Sequence, residues 1–265
     1  MIRLVRAELL KLRTTRIGWA LLAVVVALAG VVTWLVTWRG IVGGSFAFGY
    51  GPGTVSWYRS VLNDGSLVET FALVLGIVVV TAEHRHGTIT STLLAEPRRE
   101  RVVGAKLVAS MLAGGAYGLT SCAVVLAVAA VVCAHEGVGV GGLLGQVPVV
   151  WPGLVAATAL QAVYGAAVGA LLRNQVQAVV VALVFSIVAF PVVVGLFPSV
   201  GRWLPDAATA ALSSASTRTH QGTGISGPAA DLHLLRWWAG GLVLLGYGVV
   251  LAGLGSVAAV RSDVT

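Results

Sequence analysis

Residues 17–38 read IGWALLAVVVALAGVVTWLVTW, 22 residues without a charge. A hydrocarbon core about 30 Å thick needs about 20 apolar residues of helix, so this run is long enough to cross it. Trp34 and Trp38 stand where an interfacial aromatic belt belongs. Basic residues before the run, and Ala27-Leu28-Ala29 within it, have the ingredients of a cleaved leader. The apolar run continues unbroken to Trp38, however, and is read as a retained first span.

Five further apolar runs follow, at about 67–82, 107–134, 151–172, 178–197 and 237–260. The expected fold is all-α, a polytopic membrane protein of six transmembrane helices forming one transmembrane domain over residues 1–265. Composition agrees. The chain is 57% hydrophobic and 10% charged, against about 25% charged in soluble domains. That excludes a soluble globular or disordered protein. The 34 glycines suit close packing of membrane helices.

Charge gives an orientation. The net charge is +7, but the basic residues flank apolar runs, which points to topology and away from nucleic acid. Six spans put both termini on one side. That side carries twelve of the seventeen Lys and Arg residues and is read as cytoplasmic. The expected location is a cell membrane, multi-pass, with residues 40–65 and 199–235 outside. Cys122 and Cys133 would lie about 16 Å apart along one helix, too far for a disulfide.

Three segments outside the spans carry information. In residues 2–16, Ile2, Val5, Leu9 and Leu12 share a helical face, with Arg3, Arg6, Lys11 and Arg13 elsewhere on the circumference. Such a helix can lie in the lipid headgroup layer, and Glu8 and Lys11 are spaced to pair. Residues 83–106 form a charged inner loop. Gly87 breaks the helix before it, and Pro97 suits the first turn of the next. Between them Ile89 and Leu93 share a face and Leu94 adds apolar surface. A short amphipathic helix of this kind can dock in a partner's groove; a basic loop that only sets orientation is the alternative. In the long outer segment after the fifth run, residues 206–216 are Ala-rich and read as a short surface or re-entrant helix.

Some polar residues have ordinary structural readings. Ser66-Leu67-Val68-Glu69 matches a capping box at the start of the second span, with a substrate contact by Glu69 as the alternative. Thr158, Gln161 and Tyr164 read as hydrogen-bond partners between helices, and Gly165-x-x-x-Gly169 as a close-packing face. Pro191 predicts a kink in the fifth span. His84 and His86 are two apart, so on a helix they do not face one ion. The sequence has no phosphate loop, no H-E-x-x-H and no G-x-S-x-G. No catalytic residue, metal ligand or cofactor is expected. Charged residues in mid-membrane, which ion-coupled carriers usually need, are not expected either.

Arg6-Ala7-Glu8-Leu9-Leu10-Lys11-Leu12 before the first span resembles the start of type-2 ABC transporter permeases. Glu83-x-x-x-Gly87-Thr88, then Pro97-x-Arg99 and Lys106, is similar to that family's first inner loop, as are residues 165–173 to the end of its fourth span. The resemblance implies an interfacial elbow helix at residues 2–16, marked by Arg6, Glu8 and Lys11. It implies a cytoplasmic coupling helix at about 87–96. Thr88, Ile89, Leu93, Leu94, Arg98, Arg99 and Arg101 would then contact a separate ATP-binding cassette ATPase. It implies a second permease subunit, expected as a homodimer, in a lipid membrane, with no nucleic acid partner. The expected function is the permease of an ABC exporter without its own ATPase site. A stand-alone carrier or channel is the alternative.

Overall fold

The computed structural model describes residues 1–42, 51–86, 98–172, 174–213 and 234–262. These residues form helices, with no strand among them. Six helices are long and apolar enough to cross a membrane. The polytopic all-α expectation holds.

α1 (Ile2–Thr14) lies at the charged end of the bundle and stops at Thr15, whose extended backbone makes an elbow into α2 (Arg16–Val42). The elbow is pinned twice. Trp19 Nε1 donates to Arg13 O at 2.8 Å, and the Tyr117 hydroxyl donates to Gly18 O. The face of α1 that packs on the protein is centred on Glu8, with Val5 and Leu12 half-buried beside it, while Ile2 and Leu10 are exposed. The apolar face of the helical wheel is therefore split between protein and surroundings. The reason is that the bundle offers Glu8 a buried cation.

The second span is longer than its sequence suggests. α3 (Val55–Asn63) lies in what reads as an outer loop. Trp57, Val61 and Leu62 on α3 are fully buried against Ala129, Leu143 and Val150. Thr54 caps it by accepting from Trp57 N. A 3-10 turn (Asp64–Leu67) leads into α4 (Val68–His86). The capping box is absent. Ser66 sits inside the 3-10 turn, and Glu69 Oε1 has no hydrogen-bond partner. The turn already carries the chain into the helix, leaving no start to cap.

α5 (Arg99–His135) and α6 (Val140–Leu172) are the longest helices. α6 begins inside a Gly-rich stretch, residues 136–148, whose sequence reads as an outer connection between the third and fourth spans, and Pro148 and Pro152 lie within the helix. α6 is the central post. A Cβ on Gly165 would collide with Leu73 O of α4, and one on Gly76 of α4 with Ala162 O of α6. Glycine at both positions lets the two backbones touch, as the Gly165-x-x-x-Gly169 spacing predicts.

The fifth span is α7 (Gln175–Val184), a π turn (Phe185–Ala189) and α8 (Phe190–Leu196). Pro191 follows the π turn. Its ring clashes with the carbonyl four residues back and it has no N–H to donate, so the local helix widens. The expected kink takes this form. α9 (Pro198–Gly201) then folds back along α8, where Gly201 packs on Val194. α10 (Pro205–Ser213) runs along α6 and α11 (Trp237–Ser262), with Leu212 O against Gly153 and Ala208 O against Gly240. Seven of the nine residues of α10 are buried. It is a re-entrant helix, the second of the two readings the Ala-rich stretch allowed. Cys122 and Cys133 are free and buried.

Candidate functional site

Four charged side chains meet where α1, α4 and α5 converge. Glu8 Oε1 accepts from Lys11 Nζ at 2.8 Å, the pair expected from their spacing. Its Oε2 accepts from Lys106 Nζ at 3.0 Å. Glu83 Oε1 takes both cations, Lys11 at 2.6 Å and Lys106 at 2.9 Å. Two carboxylates and two ammonium groups thus alternate around a ring.

The ring is unevenly buried. Glu8, Glu83 and Lys106 side chains are 7–8% exposed, whereas Lys11 is 49% exposed. Bringing three charges this far out of water is affordable only because each finds opposite charge and hydrogen bonds. Burial works against the charge on Lys11. The hydrogen bonds it donates to Glu8 and Glu83, and its closeness to their charges, outweigh it and hold the amine above its ordinary value. The four charges of the ring sum to zero, with the half-exposed Lys11 balancing the second buried carboxylate.

Position gives the ring its use. Glu83 lies in the last turns of α4, and Lys106 two turns into α5. The inner-loop segment runs between those two helices. The ring ties the roots of both helices to the elbow helix. Arg98 stands at the N-cap position of α5 without a capping side-chain bond, Arg99 is the first residue of the helix, and Arg98 and Arg101 are exposed. Arg6 is exposed on α1. α5 begins two residues later than Pro97 suggests. Thr88, Ile89, Leu93 and Leu94, with the helix expected at about 87–96, lie outside the described residues, as do the side chains of His84, His86 and Arg99.

A family model for ABC-2 family transporter proteins matches residues 4–189. The chain belongs to that family. The match starts in the elbow helix, takes in all four members of the ring, and ends at the π turn of the fifth span. A comparison with curated proteins finds no match. As an ABC-2 family member with six membrane-length helices, the chain is a multi-pass membrane transport component.

In the sequence Glu8 and Lys11 read as elbow residues and Glu83 and Lys106 as parts of the inner-loop motif, and nothing there joins the two pairs. Glu8 and Lys106 are 98 positions apart, and no periodicity relates residues on different helices. The signal available was the composition itself. The chain has only two lysines, and each falls beside a span in a segment with a glutamate.

A second polar cluster lies within the bundle. Thr209 of α10 donates to Gln161 Oε1 of α6 at 2.8 Å, the interhelical role expected of Gln161. Ser186, in the π turn, donates to Asp206 Oδ1 at 3.0 Å and Oδ2 at 3.2 Å. Gln161 is about 16 Å of helix rise from Leu172 at the charged end of α6. Ser186 is a similar rise from Gln175, the start of α7. In a core about 30 Å thick both are close to the middle, and Asp206 is there with them. This corrects the expectation that mid-membrane acids are absent. The re-entrant α10 carries Asp206 inward from a segment that looks extramembranous in sequence.

Proposed function

We propose that this chain is the membrane-spanning permease of an ATP-driven exporter. It pairs with a separate ATP-binding cassette ATPase and with a second copy of itself, in a cell membrane, with both termini cytoplasmic. Residues 1–265 act as one transmembrane domain. Family membership supports the transport role, and twelve-to-five charge asymmetry supports the orientation. The observation that carries the coupling mechanism is the Glu8–Lys11–Glu83–Lys106 ring.

In this reading ATP brings two ATPase subunits together, and each bears on the segment 87–97. Ile89, Leu93 and Leu94 supply an apolar contact, and Thr88, Arg98, Arg99 and Arg101 fix the docking by hydrogen bonds or ion pairs. The ring passes the displacement on. α4 and α5 move with α1 as one body, because shearing any of the three apart strands a buried charge, which typically costs several kcal/mol. The elbow at Thr15 then leads the motion into α2. Hydrolysis takes place on the partner.

The test is reconstitution. The purified chain alone is expected to hydrolyse no ATP, and turnover is expected to require both subunits. Robust hydrolysis by this chain alone, or failure of any ATPase to associate with it, defeats the reading. A stand-alone carrier is the second reading, and mid-membrane Asp206 is the observation in its favour. It predicts transport driven by an ion gradient with no ATPase present.

A further inference from the structure

The ion ring fixes how α1 is turned about its own axis. Glu8 is the one acid in α1, and it is buried in the ring with Lys11 drawn to the same side. Val5 and Leu12 flank it, half-buried on the protein. Helix geometry then settles the opposite side. At 3.6 residues per turn, Ile2, Arg3, Arg6, Leu10 and Arg13 fall within about 100° of arc, and all five are exposed. The ring therefore separates the charges of α1, leaving three arginines and no acid of the helix on its outer side.

That side mixes charge with apolar surface. Ile2 is 84% exposed and Leu10 62%, so apolar side chains stand between the guanidinium groups. Water favours the arginines and not Ile2 or Leu10; a hydrocarbon core favours the reverse. The headgroup layer suits both, with the apolar side chains at the acyl boundary and the long arginine stems reaching to phosphate. The neighbouring span sets the depth. α2 is a membrane-length helix that begins at Arg16, itself exposed. Trp19, one turn further on and 58% exposed, is the residue type that marks a membrane interface. Its Nε1 donates to Arg13 O at 2.8 Å, so the interfacial indole and the end of the arginine face are held at one level.

We propose that Arg3, Arg6 and Arg13 form a docking face for anionic phospholipid headgroups, with Ile2 and Leu10 seated at the acyl boundary and Arg16 adding charge at the elbow. Charge complementarity selects the lipid. A guanidinium can pair with a phosphate through two parallel hydrogen bonds. A headgroup of net negative charge keeps the attraction that a zwitterionic one offsets with its own cation. Because the ring joins α1 to α4 and α5, bound lipid restrains the charged ends of all three helices. The binding needs no ATPase and stands apart from the permease reading.

For the test, delipidated chain in neutral detergent is offered equal amounts of phosphatidylglycerol and phosphatidylcholine with the same acyl chains. Retained lipid is counted by native mass spectrometry. Phosphatidylglycerol should be retained about tenfold or more over phosphatidylcholine, and the preference should shrink with added salt, which screens exposed charges. The combined variant Arg3→Gln, Arg6→Gln, Arg13→Gln should bring the ratio to within about twofold of parity. Arg39→Gln with Arg236→Gln, at exposed positions at the opposite end of the spans, should leave the ratio unchanged. In the natural chain, a phosphatidylglycerol with a photoactivatable headgroup should label residues 1–19. That measurement stands even where the combined variant fails to fold. An unchanged ratio in a folded combined variant, equal loss in the control pair, or labelling confined to other segments overturns the proposal. Displacement of the lipid by excess inorganic phosphate would mean a free-anion site and would overturn it as well.

Discussion

Glu8 and Lys106 are 98 positions apart in the chain and 3.0 Å apart in space. That contact joins the elbow helix to the third span, and Glu83 extends it to the second. Three elements that a membrane would let slide separately are held as one unit by charge. Because the contact is buried, salt screens it little.

Lys106→Ala should destabilise the chain by about 3–5 kcal/mol, since it leaves Glu8 and Glu83 buried with only Lys11. Lys11→Ala should cost about 0–1 kcal/mol, because that amine is half in water. Thermal unfolding in detergent measures both. Equal effects would show that the ring does not act as a buried network.

The same ring has a pH signature. The raised value of Lys11 means its contribution is complete below the ordinary lysine value of 10.5 and is lost as pH rises through the raised one. The melting temperature of the natural chain relative to Lys11→Met should therefore hold up to about pH 10.5 and fall above it. Parallel curves across that window would remove Lys11 from the ring's energetics.

Leu93→Asp and Leu94→Asp test the docking segment. A charge placed in an apolar contact typically costs several kcal/mol, so ATPase co-purification should drop by orders of magnitude. Membrane level should be kept, because Asp has little influence on topology. Arg101→Ala should be milder. Full ATPase binding and transport by both leucine variants would reduce the segment to a topology signal.

Gly165→Val should disrupt packing of α4 on α6, because even the Cβ collides with Leu73 O. Overpacking of this kind costs about 1–3 kcal/mol or more. Gly246→Val, on an exposed face of α11 where no atom lies within 4 Å of an added Cβ, is the control and should be tolerated. Thermal stability of the two variants, compared side by side, checks the claim; equal melting would refute the close approach.

Orientation is tested by cysteine access. Cysteines placed at Ser45 and Thr223 should react with an impermeant thiol reagent in intact cells, and one at Ser91 should not. The reverse pattern would invert the topology.

Sequence alone determined the class, the number of spans and the family. Each depends on runs of one residue type along the chain: 22 uncharged residues at 17–38, basic flanks, and the Arg6–Leu12 and Glu83–Thr88 motifs. It also picked out Gly165 and Gln161 correctly, since a small or polar residue inside an apolar run has few uses other than contact. Tertiary structure decided the rest. α3 and the first turns of α6 read as loops because their polar and glycine residues look solvated, and only packing around Trp57 and Leu143 makes them helical core. Asp206 reads as extramembranous, since its neighbours are short and interrupted by prolines; the return of the chain along α8 takes it to the middle of the bundle. The ring was out of reach for the same reason. An ion pair between Glu8 and Lys106 depends on how three helices cross, and that is set by the close packing of Gly165 on Leu73 and its kind, not by anything written next to either charge.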